Sequence, residues 1–313
     1  MIEGALHHLP AIGGKRLELL REAGICDWHE LRCQPPELIG LRADKWARVC
    51  AEIEQCENAV ATDDLNYLLK RFATIDHWRV LERYFTRATF FDIETDGLGW
   101  ESEITVIVCR QGDEFYKFVN GENLEDFLYF LEDVELLVSF NGNTFDVPRV
   151  ERAFNIPDLP CPHLDLRWVC YHEGLKGGLK RIEQKLGILR PPDLLDLDGA
   201  EAVRLWYRWR DVGDERARKL LVKYCGADVA ALELVAAEIL KQKGCGITPA
   251  ACNSLWQGVD ELLEADSKRR GSGQEQERSE LNGNCETDNK CDAETGREVR
   301  LRRYRDKLKK TRR

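Results

Sequence analysis

The fold of this chain is decided by residues 89–98, which read TFFDIETDGL. An apolar run ends here in two acidic residues one position apart, Asp92 and Glu94. On a β-strand, residues i and i+2 point to the same face, so both carboxylates project side by side from a sheet edge. Two like charges that close need a counter-ion, and hard divalent cations such as Mg²⁺ prefer oxygen ligands. The stretch therefore predicts a strand that carries a metal site.

Two further segments offer acidic residues that suit the same cation. Residues 139–149 run from an apolar strand through a Gly-Asn turn into a helix, and Asp146 falls in the first helical turn, where the helix dipole favours an anion. In residues 222–232, Tyr224 and Asp228 are four apart on a helical pattern, so phenol and carboxylate share one face. We expect these side chains to face the acidic pair of the strand.

Around these segments, the chain separates into four regions. Apolar positions at three- and four-residue spacing predict helices in residues 1–85. Residues 86–243 alternate strands and helices, which predicts an α/β domain with a mixed sheet flanked by helices. Residues 244–265 form a helical extension. Residues 266–313 are rich in Gly, Ser, Asn, Gln and charge, and they are predicted to form a disordered tail.

The same periodicities give bounds for the elements. The predicted strands are Ala88–Ile93, Ile104–Cys109, Phe115–Val119 and Leu136–Phe140. The predicted helices are Lys15–Ala23, Pro36–Cys56, Leu65–Tyr84, Leu124–Leu131, Thr144–Phe154, Leu179–Leu186 and Arg216–Leu240.

Charge and cysteine usage limit the class of protein. The net charge is −10, yet residues 266–313 hold 15 Lys and Arg against 10 Asp and Glu, so the tail is basic and the rest acidic. An acidic body does not exclude a nucleic-acid substrate, because bound metal cancels the carboxylates of the site. The twelve cysteines form no C-x-x-C pair, and Cys109, Cys170 and Cys225 sit in apolar stretches where a thiol acts as a small hydrophobe. Neither a disulfide framework nor a zinc site is predicted.

No apolar run reaches the roughly 18 residues of a membrane span. The first residues also lack a basic region followed by an apolar one. We therefore expect a cytoplasmic protein without membrane contact.

Taken in order, the three acidic segments resemble the three motifs of the DEDD superfamily of 3′–5′ exonucleases, which have a ribonuclease H-like fold. Asp92 and Glu94 match the first motif. Asp146 matches the second, within the pattern Asn-x-x-x-Phe-Asp that begins at Asn141, and Asp228 matches the third. Three motifs in the right order are a specific signal, whereas any one alone is weak.

The subclass follows from the position four residues before the last aspartate. Tyr224 stands there, as in the tyrosine type of these enzymes, called DEDDy. Within that type, residues 139–154, 163–166 and 174–180 are most similar to the YprB-like ribonuclease H-like family. The resemblance covers about residues 86–243.

This resemblance implies metal-dependent hydrolysis of phosphodiester bonds in DNA or RNA, with two Mg²⁺ or Mn²⁺ ions. Asp92 would be a ligand shared by both ions. Glu94 and Asp228 would complete one ion, and Asp146 would act on the other directly or through water. Tyr224 would orient the attacking water as a hydrogen-bond partner.

Other residues are candidates for contacts with nucleic acid. Asn141 either touches the substrate or only caps the following helix. Lys176 and Lys180 suit a track for phosphates, or they are a solvated helix face. His163 and Asp165 either brace the site or form an ordinary hydrogen-bonded pair in the core.

The N-terminal residues 9–25 resemble a helix-hairpin-helix segment, in which a glycine turn and a helix N-terminus bind phosphate. The pattern departs from the family because Ala11 stands where the first glycine is expected, and Gly13 is followed directly by the second. Lys15 and Arg16 are the candidate contacts with nucleic acid. The alternative is a helical hairpin that only packs against the nuclease.

Two functions of different classes remain open. The first is a 3′–5′ exonuclease, with a structure-specific endonuclease as a variant on the same fold. The second is a non-catalytic nucleic-acid-binding protein. All four acidic positions are filled, which favours the enzyme, because a decayed site would be expected to lose at least one. The basic residues 300–310 are either an arm for nucleic acid or a solvated tail.

Overall fold

A computed structural model describes residues 1–195, 197–247 and 251–263. The predicted disordered tail, 266–313, and the end of the predicted helical extension lie outside these residues. Within the extension, residues 252–263 are helical.

The domain is built on one five-stranded sheet. Its strands are β1 Ala88–Thr95, β2 Ile104–Gln111, β3 Glu114–Val119, β4 Leu136–Ser139 and β5 His163–Asp165. They lie in the order β3-β2-β1-β4-β5, with β1, β2 and β3 antiparallel and β4 and β5 parallel to β1. The predicted mixed sheet is thus confirmed, and β1 is its central strand.

The central strand is paired unevenly on its two sides. Along β2 it is paired from Thr89 to Thr95, with a register shift between Glu94 and Thr95. Along β4 it is paired only over Ala88–Phe90, because β4 has four residues. Beyond Phe90, therefore, one side of β1 is not covered by β4, and a cleft opens there.

Helices cover both faces of the sheet. They are α6 Phe127–Phe130, α7 Asp146–Ala153, α8 Leu166–His172, α9 Leu179–Leu186, α10 Gly199–Val212 and α11 Glu215–Gln242. The long helix α11 packs on β1 and β2, and its side chains are buried along most of its length. It carries the third acidic segment across the sheet.

The N-terminal region is helical, as predicted. Its helices are α1 Gly14–Glu22, α2 Trp28–Arg32, α3 Ala43–Ala61, α4 Leu65–Arg71 and α5 His77–Tyr84. Their buried apolar side chains belong to the same cluster as one face of the sheet and α11, running from Ile2 to Leu240. The boundary near residue 85 therefore does not separate two cores.

Several predicted bounds were wrong in instructive ways. The predicted helix Leu65–Tyr84 is two helices, separated by extended residues and a short 3₁₀ turn at Thr74–Asp76. The predicted helix Pro36–Cys56 begins only at Ala43, after a 3₁₀ turn that ends at Gly40 in the left-handed region. Leu124–Leu131 is a four-residue α-helix between two 3₁₀ turns.

No helix in the described residues is long and apolar enough to cross a membrane. The ten cysteines of this part of the chain are free thiols.

Candidate metal and nucleic-acid site

The acidic pair of β1 lies at the cleft beside β4. Asp92 is opposite Val108 and Glu94 opposite Val106 on β2, so both carboxylates point to the same face. Both side chains line the cleft, which has a volume of about 780 Å³. Glu94 is only 9% exposed, whereas Asp92 is half-buried.

Asp146 is the first residue of α7 and is 3% exposed. Its carboxylate accepts hydrogen bonds from its own backbone N–H and from that of Ile93, which lies between the two acidic residues of β1. The helix therefore begins against the half of β1 that β4 leaves uncovered. Asp146 lines the same cleft as the strand pair.

Asp228 reaches the cleft from α11. Three residues before it, Cys225 is fully buried against β1, and its thiol donates a hydrogen bond to the backbone carbonyl of Asp92 at 3.4 Å. Tyr224 and Asp228 are four apart on this helix and share a face, as predicted. The four predicted carboxylates, from three distant segments, thus come together in one cleft.

Crowding of these acids makes their charged forms unfavourable. Burial raises the pKa of Asp92 well above its usual range, and the charges of Asp228 and Asp146 raise it further. Burial and the same two charges raise the pKa of Glu94. Burial also raises the pKa of Asp146, to about 7. A bound cation would remove this conflict, because it compensates the carboxylates directly.

The donor set fits a hard divalent cation. Oxygens of Asp92 and Glu94 and the sulfur of Cys225 lie within 4.8 Å of one another. Burial raises the pKa of the Cys225 thiol well above its ordinary value, so the sulfur stays protonated and is a poor ligand. The ligands that remain are carboxylate oxygens, which Mg²⁺ and Mn²⁺ prefer.

A buried arginine that the sequence did not indicate, Arg190, contacts one of the cleft carboxylates. Arg190 donates through Nε and Nη2 to the two oxygens of Glu183, each at 2.6 Å. Its Nη2 also donates to Oδ1 of Asp228. The side chains of Arg190 and Glu183 are 5% and 3% exposed. Arg190 follows Glu183 by seven positions along the chain, and no local motif marks the pair.

The opposite wall of the cleft is aromatic. Trp168 and Tyr171 of α8 line it with large exposed surfaces, 40% and 48%, and their rings meet edge to face at 6.0 Å. The ammonium of Lys176 lies 5.0 Å from the Tyr171 ring centre. Exposed rings next to a cation are what unpaired bases stack on, so this wall suits a nucleic-acid strand.

Two residues of β5, His163 and Asp165, hold the turn between β4 and α7 through hydrogen bonds. The backbone N–H groups of Asn141 and Asn143 donate to Asp165 at 2.7 and 3.3 Å. His163 bonds Ser139 at 2.8 Å and Asn143 at 3.1 Å. Burial lowers the pKa of His163 to about 4, so it is neutral at pH 7. His163 and Asp165 therefore fix the turn that precedes Asp146.

Asn141 is itself part of this arrangement. Its backbone is in the left-handed region, with φ 65°, which asparagine tolerates better than most residues. Its side-chain oxygen accepts hydrogen bonds from Thr144 and Arg167. Asn141 lines the cleft, and direct contact with a substrate stays a prediction.

Tyr224 and Lys180 lie together beside the acids. Tyr224 is 5% exposed, and the ammonium of Lys180 is 4.7 Å from its ring centre. The Lys180 ammonium also donates to the carbonyl of Leu197. Burial raises the pKa of Tyr224, and the charges of Asp228 and Glu94 raise it further. Lys180 is therefore less available to a phosphate than the exposed Lys176.

The N-terminal candidates are placed elsewhere. Arg16 donates to the backbone carbonyls of Ile39, Ala11 and Gly40, so its guanidinium holds the N-terminal turns together. Lys15 is exposed. The described residues that line the cleft include neither of them. Ala11, at the position of the expected glycine, has φ 63°, a conformation that favours glycine. Phosphate binding by this segment stays a prediction.

Comparison with known families agrees with this geometry. Residues 89–240 match the family model described as the RNase_H superfamily. This part of the chain has a ribonuclease H-like fold. Within this fold the acids come together from the central strand, the first residue of α7 and the helix α11. Their convergence supports nuclease activity on nucleic acid.

Among solved structures, the chain is similar to the family B DNA polymerase of the hyperthermophilic archaeon Pyrobaculum calidifontis. The two are 18% identical with a TM-score of 0.41, over 55% of this chain and 26% of the polymerase chain. The matched part of the chain thus spans only about a quarter of the polymerase chain. No curated protein is significantly similar in sequence.

Proposed function

We propose that this protein is a metal-dependent nuclease of the DEDDy type that removes nucleotides from 3′ ends, and that its relatives include the YprB-like family. The observation that carries the proposal is the meeting of Asp92, Glu94, Asp146 and Asp228 in one cleft. A charged cluster of this kind is unfavourable for folding, so its presence argues for a function that requires cations.

Each acid has a role in holding the ions. Asp92 would be the ligand shared by both ions, Glu94 and Asp228 would complete one ion, and Asp146 would act on the other directly or through water. When bound, two Mg²⁺ or Mn²⁺ ions would supply Lewis acidity for the attacking water and the leaving oxygen. The buried position of the carboxylates limits competing water.

Tyr224 orients the water that attacks the phosphodiester. Because its pKa is raised, the phenol stays protonated at neutral pH and acts as a hydrogen-bond partner, not as a base. The ammonium of Lys180 lies over the Tyr224 ring, 4.7 Å from its centre, and helps to hold it in place. We expect Tyr224→Phe to lower kcat more than it raises KM.

The substrate strand lies along the aromatic wall. Trp168 and Tyr171 stack on bases, Lys176 attracts phosphates, and Asn141 lines the same cleft. None of these contacts selects DNA or RNA by itself, so the proposal covers both.

Digestion of 5′-labelled DNA and RNA oligonucleotides tests the proposal. With Mg²⁺, the wild type should give a ladder of products shortened one nucleotide at a time, and Asp92→Asn should give none. Asp113→Asn is the matched control, because this aspartate is fully exposed on the β2–β3 turn. Internal fragments would instead indicate an endonuclease. Tight binding without any product, on every substrate and with either metal, would favour the non-catalytic binding protein and refute the proposal.

A further inference from the structure

The buried group formed by Glu183, Arg190 and Asp228 contains two residues, Glu183 and Arg190, that the proposed mechanism does not use. The guanidinium of Arg190 is held by two carboxylates, and its remaining nitrogen, Nη1, is buried without a hydrogen-bond partner among the described residues. Its orientation is thus set by these two acids alone. Such buried charge groups are often no more stabilising than apolar side chains of equal volume, so a stabilising role does not account for them.

The charges within the group are arranged unequally. Glu183 takes both Nε and Nη2 in a two-bond fork, whereas Asp228 receives only Nη2, through Oδ1. Glu183 therefore uses both carboxylate oxygens on Arg190, whereas Asp228 uses only Oδ1. The hydrogen bond fixes the direction of the Asp228 carboxylate and leaves Oδ2 outside the contact with Arg190.

We propose that Arg190 is a positioning residue, which uses one oxygen of Asp228 to aim the other at a divalent cation in the cleft, while Glu183 keeps the arginine from competing with that cation. This inference rests on the proposed function, since it assigns a role toward the metal ions of that site. It predicts that Asp228 contributes a single oxygen to the metal.

Substituting Arg190 with lysine separates orientation from charge. Lysine keeps the positive charge, but a single ammonium cannot form the fork to Glu183 and the bond to Asp228 in one plane. Glu183→Gln does the reverse, because it keeps the arginine and the side-chain volume but leaves the guanidinium charge unbalanced next to Asp228. Both changes should weaken cation binding, the first by misorienting the ligand and the second by charge.

Isothermal titration calorimetry of the whole chain with Mn²⁺ alone measures the Kd for the cation without substrate. We expect Arg190→Lys to raise the Kd for Mn²⁺ by about 10- to 100-fold, as is typical for groups that orient metal ligands. Arg110→Lys is the matched control, since Arg110 of β2 is a buried arginine paired with Glu233 of α11, and neither lines the cleft. It should lose stability to urea but bind Mn²⁺ as the wild type does.

The outcomes are distinct. A Kd for Arg190→Lys equal to or lower than that of the wild type overturns the inference and leaves the nuclease proposal intact. If Arg190→Lys does not fold, Glu183→Gln decides, and an unchanged Kd in that variant overturns the inference as well. If the wild type itself binds no Mn²⁺, the proposed function fails and the inference fails with it.

Discussion

Replacing Asp146 by asparagine should stabilise the fold of the metal-free protein and abolish the cleavage that is expected in the presence of Mg²⁺ or Mn²⁺. The rise of the Asp146 pKa from 3.8 to about 7 means that the folded state holds the proton more tightly than the unfolded state. Between these pH values, stability falls as pH rises, and above them the charged form costs about 4 kcal/mol, at 1.4 kcal/mol per pKa unit.

The variant removes this cost but not the hydrogen-bond acceptor. The asparagine oxygen still accepts the N–H of Ile93, and we allow about 1 kcal/mol for the second backbone bond that is lost. The net gain in the free energy of unfolding should be about 3 kcal/mol at pH 8. At pH 5, close to the unfolded pKa, the gain should shrink to about 1 kcal/mol or less.

Urea unfolding followed by tryptophan fluorescence in EDTA measures both values, since the chain has eight tryptophans. Asp113→Asn should change stability little at either pH, because this side chain is fully exposed and its ion pair with Arg110, at 3.5 Å, is a weak surface contact. Adding Mn²⁺ should stabilise the wild type more than the variant. If Asp146→Asn is less stable than the wild type at pH 8 in EDTA, burial does not make the charged form of Asp146 unfavourable as described.

Three further results are expected. EDTA should stop cleavage, Mg²⁺ or Mn²⁺ should restore it, and either ion should raise the melting temperature of the wild type. A protein that is fully active in EDTA would contradict the metal assignment. Trp168→Ala should weaken binding of a single strand by about 1–3 kcal/mol, as loss of one stacking ring does, with the fold unchanged; fluorescence anisotropy measures this, and equal affinity would remove the aromatic wall from the substrate path. Gly142→Ala should destabilise the protein by about 1–3 kcal/mol, because the new Cβ would lie 1.8 Å from the hydroxyl of Ser139, and an unchanged urea midpoint would show that the turn is not fixed.

The central parts of the site could be predicted from local sequence. The apolar run before Asp92 has the length and composition of a strand, and the spacing of Tyr224 and Asp228 fits a helix, because both signals depend on neighbours within a few residues. The order of the three segments then predicted their convergence. The strand signal, the helical spacing and the order of the segments can all be read from the sequence without knowledge of the tertiary structure.

Other elements lacked such a signal or had one that was overlooked. The strand β5 has three residues, too few for an alternating pattern. Helix α10 could have been found, because Asp198 caps it through the N–H of Glu201 and Gly213 ends it in the left-handed region. Arg190 could not have been found, since its bond to Asp228 joins residues 38 apart and depends on packing between a loop and α11.

The core shared by the N-terminal helices and the sheet has a consequence for how this protein tolerates change. Residues 1–85 are not an accessory attached by a linker; their apolar side chains fill the same interior as β1 and α11. A chain shortened to the nuclease-like part would leave that interior open to water. Substitutions far from the acids, on α3 or α5, can therefore lower the amount of folded enzyme in a cell without touching its chemistry.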